Sequence, residues 1–175
     1  MTILEEVLAA NAAYAGSFGA KSELALPPAR GFAILTCMDA RLDPAKFLGL
    51  EEGDAHVIRN AGGIVDDDAL RSLIISHHLL GTQEFMLIHH TDCGMLTFKD
   101  DDLFAKLRKK TGAAAVSPAR FYSFSDLETD VREQMAKLRS HPWVPSSIPV
   151  RGFVFDVKTG RLKEVSAAGV GEASA

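Results

Sequence analysis

The chain alternates short, unbroken apolar runs with longer stretches in which apolar residues return every three or four positions. The unbroken runs are about Phe32–Thr36 (FAILT), Ala55–Arg59 (AHVIR), Glu84–His89 (EFMLIH) and Arg151–Val157 (RGFVFDV). A shorter run, Arg161–Val165, is joined to the last by KTG. Runs of this length, rich in β-branched and aromatic residues, predict strands. The periodic stretches predict helices. One spans Ile3 to about Ala15, opened by Thr2 with Glu5 three residues on, the capping-box spacing. Another spans Asp67 to Leu80, placing Leu70, Leu73, Ile74 and His77 on one stripe and stopping at Gly81. A third lies near Asp101–Lys110. A fourth is expected to open with Ser125 and Glu128, a second capping-box spacing, and carries Val131, Met135 and Leu138 on one face before HPWVP ends it.

Strands that alternate with helices, and that are apolar throughout rather than at every second residue, predict an α/β fold. Its centre is a mostly parallel sheet of four strands plus a short antiparallel edge strand, flanked by helices. The chain reads as one domain over residues 1–175. Residues 1–30 form an N-terminal helix and an extended arm through Pro27-Pro28, and residues 166–175 form a small, polar, fraying tail. Ligands of such sheets bind beyond the carboxyl ends of the strands. TCMDAR, RNAGG and HHTDCG each follow directly from a predicted strand, so these three loops are expected at one edge.

Composition narrows the field. A 175-residue chain with 47% hydrophobic residues can bury its own core, and 24% charged residues of mixed sign describe a globular protein. A net charge of −4 argues against nucleic-acid and anionic-membrane partners. The basic cluster Lys106–Lys110 reads as the last turn of a solvated helix, where cations are favourable. No apolar stretch reaches the roughly 20 residues of a membrane span, and the N-terminus, with Glu5 and Glu6, does not read as a signal peptide. A cytoplasmic location is expected. The two cysteines there imply no disulfide framework; with histidines nearby they suggest metal ligation or catalysis.

His90 and Cys93 have the H-x-x-C spacing that lets one turn offer both side chains to one ion, and Cys37 supplies a second thiol from the first loop. Thiolate and imidazole together suit zinc, and three protein ligands with one open position describe a catalytic site. Taken singly, Cys37 also reads as a small buried hydrophobe, and Asp39 with Arg41 as an ordinary strand-end ion pair. A thiol-phosphatase reading, with Cys37 as nucleophile and Arg41 binding the anion, wants a longer phosphate-cradling loop and would aim Asp39 at the substrate. His89 neighbours a candidate ligand, but strand alternation turns it to the opposite face. His77 reads as a satisfied core histidine.

C-x-D-x-R after the first strand, R-N-A-G after the second and H-x-x-C-G after the third run in order from about Ala33 to Gly94. Together they resemble the β-class carbonic anhydrases, particularly the short members, and RGFVFDVKTG fits the same fold. The resemblance implies reversible hydration of CO2 to bicarbonate and a proton by attack of zinc-bound hydroxide, with one Zn2+ per subunit held by Cys37, His90 and Cys93. It implies that Asp39 and Arg41 are the acid–base and orienting dyad and that Asn60, Ala61, Gly62 and Gly63 line the site. It also implies a homodimer or homotetramer, with N-terminal helices packed on the neighbour and sites at the subunit boundary. Zinc brings the pKa of bound water from about 15.7 toward 7. Two thiolates cancel the ion's charge, so activity is expected to rise into mildly alkaline pH. Close relatives of this fold hydrolyse CS2 or COS, a second expectation; a zinc-bearing, bicarbonate-binding dimer without turnover is the third.

Overall fold

The computed structural model describes residues 1–114 and 117–167. Five strands, β1 (Phe32–Cys37), β2 (Ala55–Asn60), β3 (Glu84–His90), β4 (Val150–Phe155) and β5 (Leu162–Val165), form one sheet in the order β2-β1-β3-β4-β5. β1 pairs parallel with β2 and β3, β3 pairs parallel with β4, and β5 closes the edge antiparallel to β4. The expected fold class is therefore the one observed. β1 and β3 are buried on both faces, which is why they read as unbroken apolar runs. β2 lies at the edge, and its exposure alternates through Val57 and Arg59.

The helices are α1 (Ile3–Gly16), α2 (Pro44–Leu48), α3 (Asp67–His78), α4 (Asp100–Thr111) and α5 (Leu127–Arg139). α3 and α5 cover one face, packing Ala69, Leu73, Val131, Met135 and Leu138 against Ala33, Leu35, Phe85 and Leu87. On the other face Leu42, Met95, Phe47, Phe98 and Phe124 enclose Ile34, Met86, Ile88 and Phe155. Close approach of α5 to β4 requires Gly152: a Cβ there would fall 2.4 Å from Val131 Cγ1.

Some boundaries differ from expectation for local reasons. α5 opens one residue later than the Ser125 pattern suggests, because the Asp126 carboxylate accepts from Thr129 N at 2.8 Å. α2 escapes periodicity at five residues, yet it has its own signals: Asp43 as cap, Pro44 in its first turn and a left-handed Gly49 beyond its end. The Thr2–Glu5 capping box closes in both directions. The linker after α1 contains a single 3₁₀ turn, Gly19–Glu23. The His77 ring donates through Nδ1 to Thr82 O at 2.7 Å. Of the expected tail, Ser166 accepts through its carbonyl from Arg132, and residues 168–175 lie outside the described residues. No helix among the described residues is long and apolar enough to cross a membrane.

The chain runs from β1 outward to β2, then returns to place β3 on the other flank of β1. The strand order thus reverses between β1 and β3. At such a switch point the loops leaving two adjacent parallel strands part and leave a crevice. Cys37 ends β1 and His90 ends β3.

Candidate metal centre

Cys37 Sγ, Cys93 Sγ and a ring nitrogen of His90 lie within 4.8 Å of one another, and all three residues are buried. Two features place them there. β1 and β3 are adjacent and parallel, with Thr36 paired to Ile88, so Cys37 ends one residue short of the level of His90. The chain then turns through Asp92, held at a left-handed φ of 57°, and returns Cys93 Sγ to within 4.8 Å of a His90 ring nitrogen. Asp tolerates that conformation better than most residues.

The donor set fits a thiophilic divalent cation. His90 donates through Nδ1 to Thr91 O at 2.9 Å, which fixes the tautomer and leaves the Nε2 lone pair free. That buried Nε2 has no hydrogen-bond partner among the described residues. The Cys93 thiol beside it holds the Cys37 thiol well below the ordinary thiol range, outweighing burial, with further help from His90 and the backbone amides of Asp39 and Gly62. In turn the Cys37 sulfur pushes the Cys93 thiol up. The pair accommodates one thiolate readily and a second only with a cation among the donors.

Asp39 and Arg41 stand beside this cluster. Asp39 Oδ1 accepts from Arg41 N at 2.9 Å and Nε at 3.0 Å, and Oδ2 accepts from Arg41 Nη2 at 2.8 Å. Asp39 Oδ2 lies 3.7 Å from His90 Nε2, beyond hydrogen-bond length and on the metal side. The Arg41 guanidinium, against the opposing pull of burial, holds the Asp39 carboxyl far below the usual carboxylate range. Arg41 also donates through Nη1 to Asp92 Oδ2 at 2.8 Å and through Nη2 to Asp92 O at 2.9 Å, joining the first loop to the third.

The second loop enters from β2. Gly62 N approaches Cys37 Sγ at 3.4 Å, donating to the sulfur. Gly63 sits at φ +74°, where a Cβ would fall 3.1 Å from Cys37 N and 3.2 Å from Ile88 O, so only glycine lets this loop lie against both strands. Asn60 spends its amide within the loop, donating through Nδ2 to Ile64 O at 2.7 Å and accepting at Oδ1 from Ile64 N at 2.8 Å. Its side chain therefore shapes the turn. Ala61 is exposed, and Gly62 and Gly63 are buried. Every residue singled out in the three loops falls at this one edge.

Sequence reasoning passed over two residues of the same loops. Arg59 donates through Nε to Cys37 O at 3.0 Å and through Nη2 to Asp39 O at 2.7 Å, clamping the TCMDAR turn. Asp92 supplies the second anion that Arg41 grips. Their signal was position alone: a charged residue directly before N-A-G-G, and one between His90 and Cys93.

The comparisons agree with this geometry. A family model described as Carbonic anhydrase matches residues 32–162. Beta-carbonic anhydrase 1 of Mycobacterium tuberculosis is 50% identical over 167 residues, covering 95% of this chain and 99% of that protein. A carbon disulfide hydrolase of Acidithiobacillus thiooxidans is 30% identical over 161 residues, covering 82% of this chain and 81% of the relative. The crystal structure of carbonic anhydrase from Streptococcus mutans superposes with a TM-score of 0.88 at 43% identity, covering 95% of this chain and 99% of that one. The match in sequence, the match in fold and a buried Cys-His-Cys group at the switch point all lead to one assignment: the chain belongs to the carbonic anhydrase family, in its β class.

Proposed function

We propose that this chain is a carbonic anhydrase, catalysing the reversible hydration of CO2 to bicarbonate and a proton with Cys37, His90 and Cys93 holding one zinc ion. The observation that carries the reading is the buried sulfur–nitrogen–sulfur group with an Arg-held carboxylate beside it. Bound there, zinc supplies the Lewis acidity that makes water nucleophilic near neutral pH.

The remaining work falls to the chain. Gly62 N stabilises the Cys37 thiolate, and Thr91 O holds His90 in the tautomer that presents Nε2. Asp39, kept ionised by Arg41, is an acceptor at every working pH. Its Oδ2, 3.7 Å from His90 Nε2, is placed where it would accept a hydrogen bond from the reacting water and so turn that water's lone pair toward the carbon of CO2. A carboxylate held below its usual range favours accepting a hydrogen bond over storing a proton. Arg41 keeps the carboxylate off the donors with three hydrogen bonds. Ala61 and Gly62, with little or no side chain, leave room for a linear triatomic substrate, and Asn60 and Gly63 hold their turn in shape.

Two buried free thiols suit a reducing compartment, which supports a cytoplasmic location. The unburied apolar stripe of α1 supports a homodimer, or a tetramer built from it. The carbon disulfide hydrolases among the relatives make CS2 the competing substrate. Metal analysis with stopped-flow CO2 hydration, followed by a CS2 hydrolysis assay, decides between them. The expected result is one zinc per chain and CO2 turnover that chelation abolishes. Zinc with turnover of CS2 alone would reassign the substrate, and zinc with no turnover of either would reduce the protein to a binding module.

A further inference from the structure

α5 contributes no group to the metal centre, yet it is tied to two of its three loops through a buried polar network. His89, wholly buried, donates through Nε2 to Asp130 Oδ2 at 2.6 Å. Asp130 Oδ1 accepts from Gln134 Nε2 at 3.2 Å, one helical turn on. Gln134 Oε1 accepts from Val65 N at 2.8 Å. Asp130 and Gln134 are each 8% exposed and sit beside the apolar residues Val131, Met135 and Leu138.

The attachment points are specific. His89 directly precedes His90 and faces the opposite side of β3, so its ring fixes the strand end from which the ligand projects. Val65 follows Ile64, whose N–H and carbonyl are both clamped by Asn60, at the end of the turn whose Gly62 N donates to Cys37 Sγ. One helix face therefore grips the back of the His90 strand and the root of the glycine loop together.

Packing alone does not call for these side chains. Apolar residues of similar volume often replace such buried polar groups without loss of stability, and His89 Nδ1 has no partner among the described residues. Hydrogen bonds add direction, setting the register of the helix against the strand end in a way that greasy contacts leave loose. We infer that His89, Asp130 and Gln134 are positioning residues, which hold the His90 strand end and the Cys37-facing glycine loop in ligating geometry from the far side of the sheet.

The inference rests on Cys37, His90 and Cys93 binding metal, so its test reads the metal directly. Cobalt(II) is loaded in place of zinc and its absorption spectrum recorded, and zinc release to a chelator is timed on the zinc form. Asp130→Ala is expected to shift the cobalt bands and speed zinc release about 10- to 100-fold, the usual effect of losing an outer hydrogen-bond partner of a ligand. Asp130→Asn keeps an acceptor oxygen for His89 Nε2–H but turns its NH2 toward Gln134 Nε2, so its spectrum and release rate should fall between wild type and Asp130→Ala. The double variant His89→Phe with Asp130→Leu removes both sides of the His89–Asp130 bond, leaving Gln134 Nε2 as the one group without its acceptor, and it serves also if Asp130→Ala does not fold. It should melt closer to the wild-type temperature than Asp130→Ala does, and still release zinc fast. A double variant with wild-type spectrum and release rate would overturn the inference, leaving the network a packing device. A wild-type chain that takes up no cobalt would overturn the metal reading and this inference with it.

Discussion

Arg41 joins two carboxylates that belong to different loops, Asp39 two residues earlier in the chain and Asp92 across the crevice. A guanidinium does this well because its fork offers parallel donors to one carboxylate while the remaining N–H groups reach another acceptor. Arg41→Ala is expected to lower CO2 turnover by roughly 10²-fold, the scale of a lost orienting group, while zinc content stays near one per chain. Arg41→Lys should recover only part of the loss, since an ammonium cannot span both partners in this geometry. Stopped-flow hydration beside metal analysis checks both variants, and wild-type turnover in Arg41→Ala would remove its role in holding Asp39. The sequence made Cys37, His90 and Cys93 visible because ligand chemistry is written in residue type and short spacing. Arg59 and Asp92 stayed hidden because their partners lie across the fold: an arginine that clamps the carbonyls of Cys37 and Asp39 looks, in one dimension, like any edge-strand cation.

β1 and β3 were legible as elements because burial on both faces forces unbroken apolar runs, and helix ends only where the cap lay where the pattern pointed. Thr2 with Glu5 met that condition, whereas Asp126 displaced Ser125 because its carboxylate reaches Thr129 N. The loop between α4 and α5 has no such periodic signal, and it is secured instead by a side chain at the start of α4. Asp100 accepts from Phe121 N at 2.8 Å, Tyr122 N at 3.1 Å and Ser123 N at 3.0 Å. Burial alone would raise its pKa, but those donors, Ser123 foremost, outweigh it and hold the carboxyl below the ordinary carboxylate range. A carboxyl depressed in the folded state contributes stability that is fully present above its unfolded pKa, about 4, and is lost as pH falls through the lower, folded value. Urea midpoints measured between neutral pH and about pH 3 should therefore fall less steeply for Asp100→Asn than for wild type. The variant should also be the less stable of the two at neutral pH, having lost charge-assisted bonds. Equal acid slopes would mean that the clamp does not carry this part of the pH dependence.

At the scale of the whole molecule the sheet and its crevice follow from the apolar runs, but α1 does not fit a chain that stands alone. No residue of this 14-residue helix is buried. Ile3, Leu4, Val7 and Leu8, spaced as one helical stripe, are 80%, 66%, 54% and 59% exposed. In its last turns Tyr14 Oη donates to Glu52 at 2.7 Å, and in the arm beyond the helix Lys21 pairs with the same carboxylate. A helix this short is marginal in water without a packed face, so the capping box that closes it does not suffice. The occupant that best fits the stripe is a second copy of the chain: symmetric dimers are by far the commonest oligomers of soluble chains. The exposed β2 edge, with Val57 41% exposed near the outer α3 residue Ile75, offers a further surface to be covered. Light scattering coupled to size exclusion should give a wild-type mass of at least twice 18.9 kDa. Val7→Glu with Leu8→Glu places two charges on the stripe and should drive the mass toward the single chain. Because neither residue approaches the metal centre within its own chain, the variant also asks whether the crevice works unassisted. Turnover that falls with protein concentration in step with the mass would show that the partner copy completes the site, and a monomeric wild-type chain with full activity would exclude it.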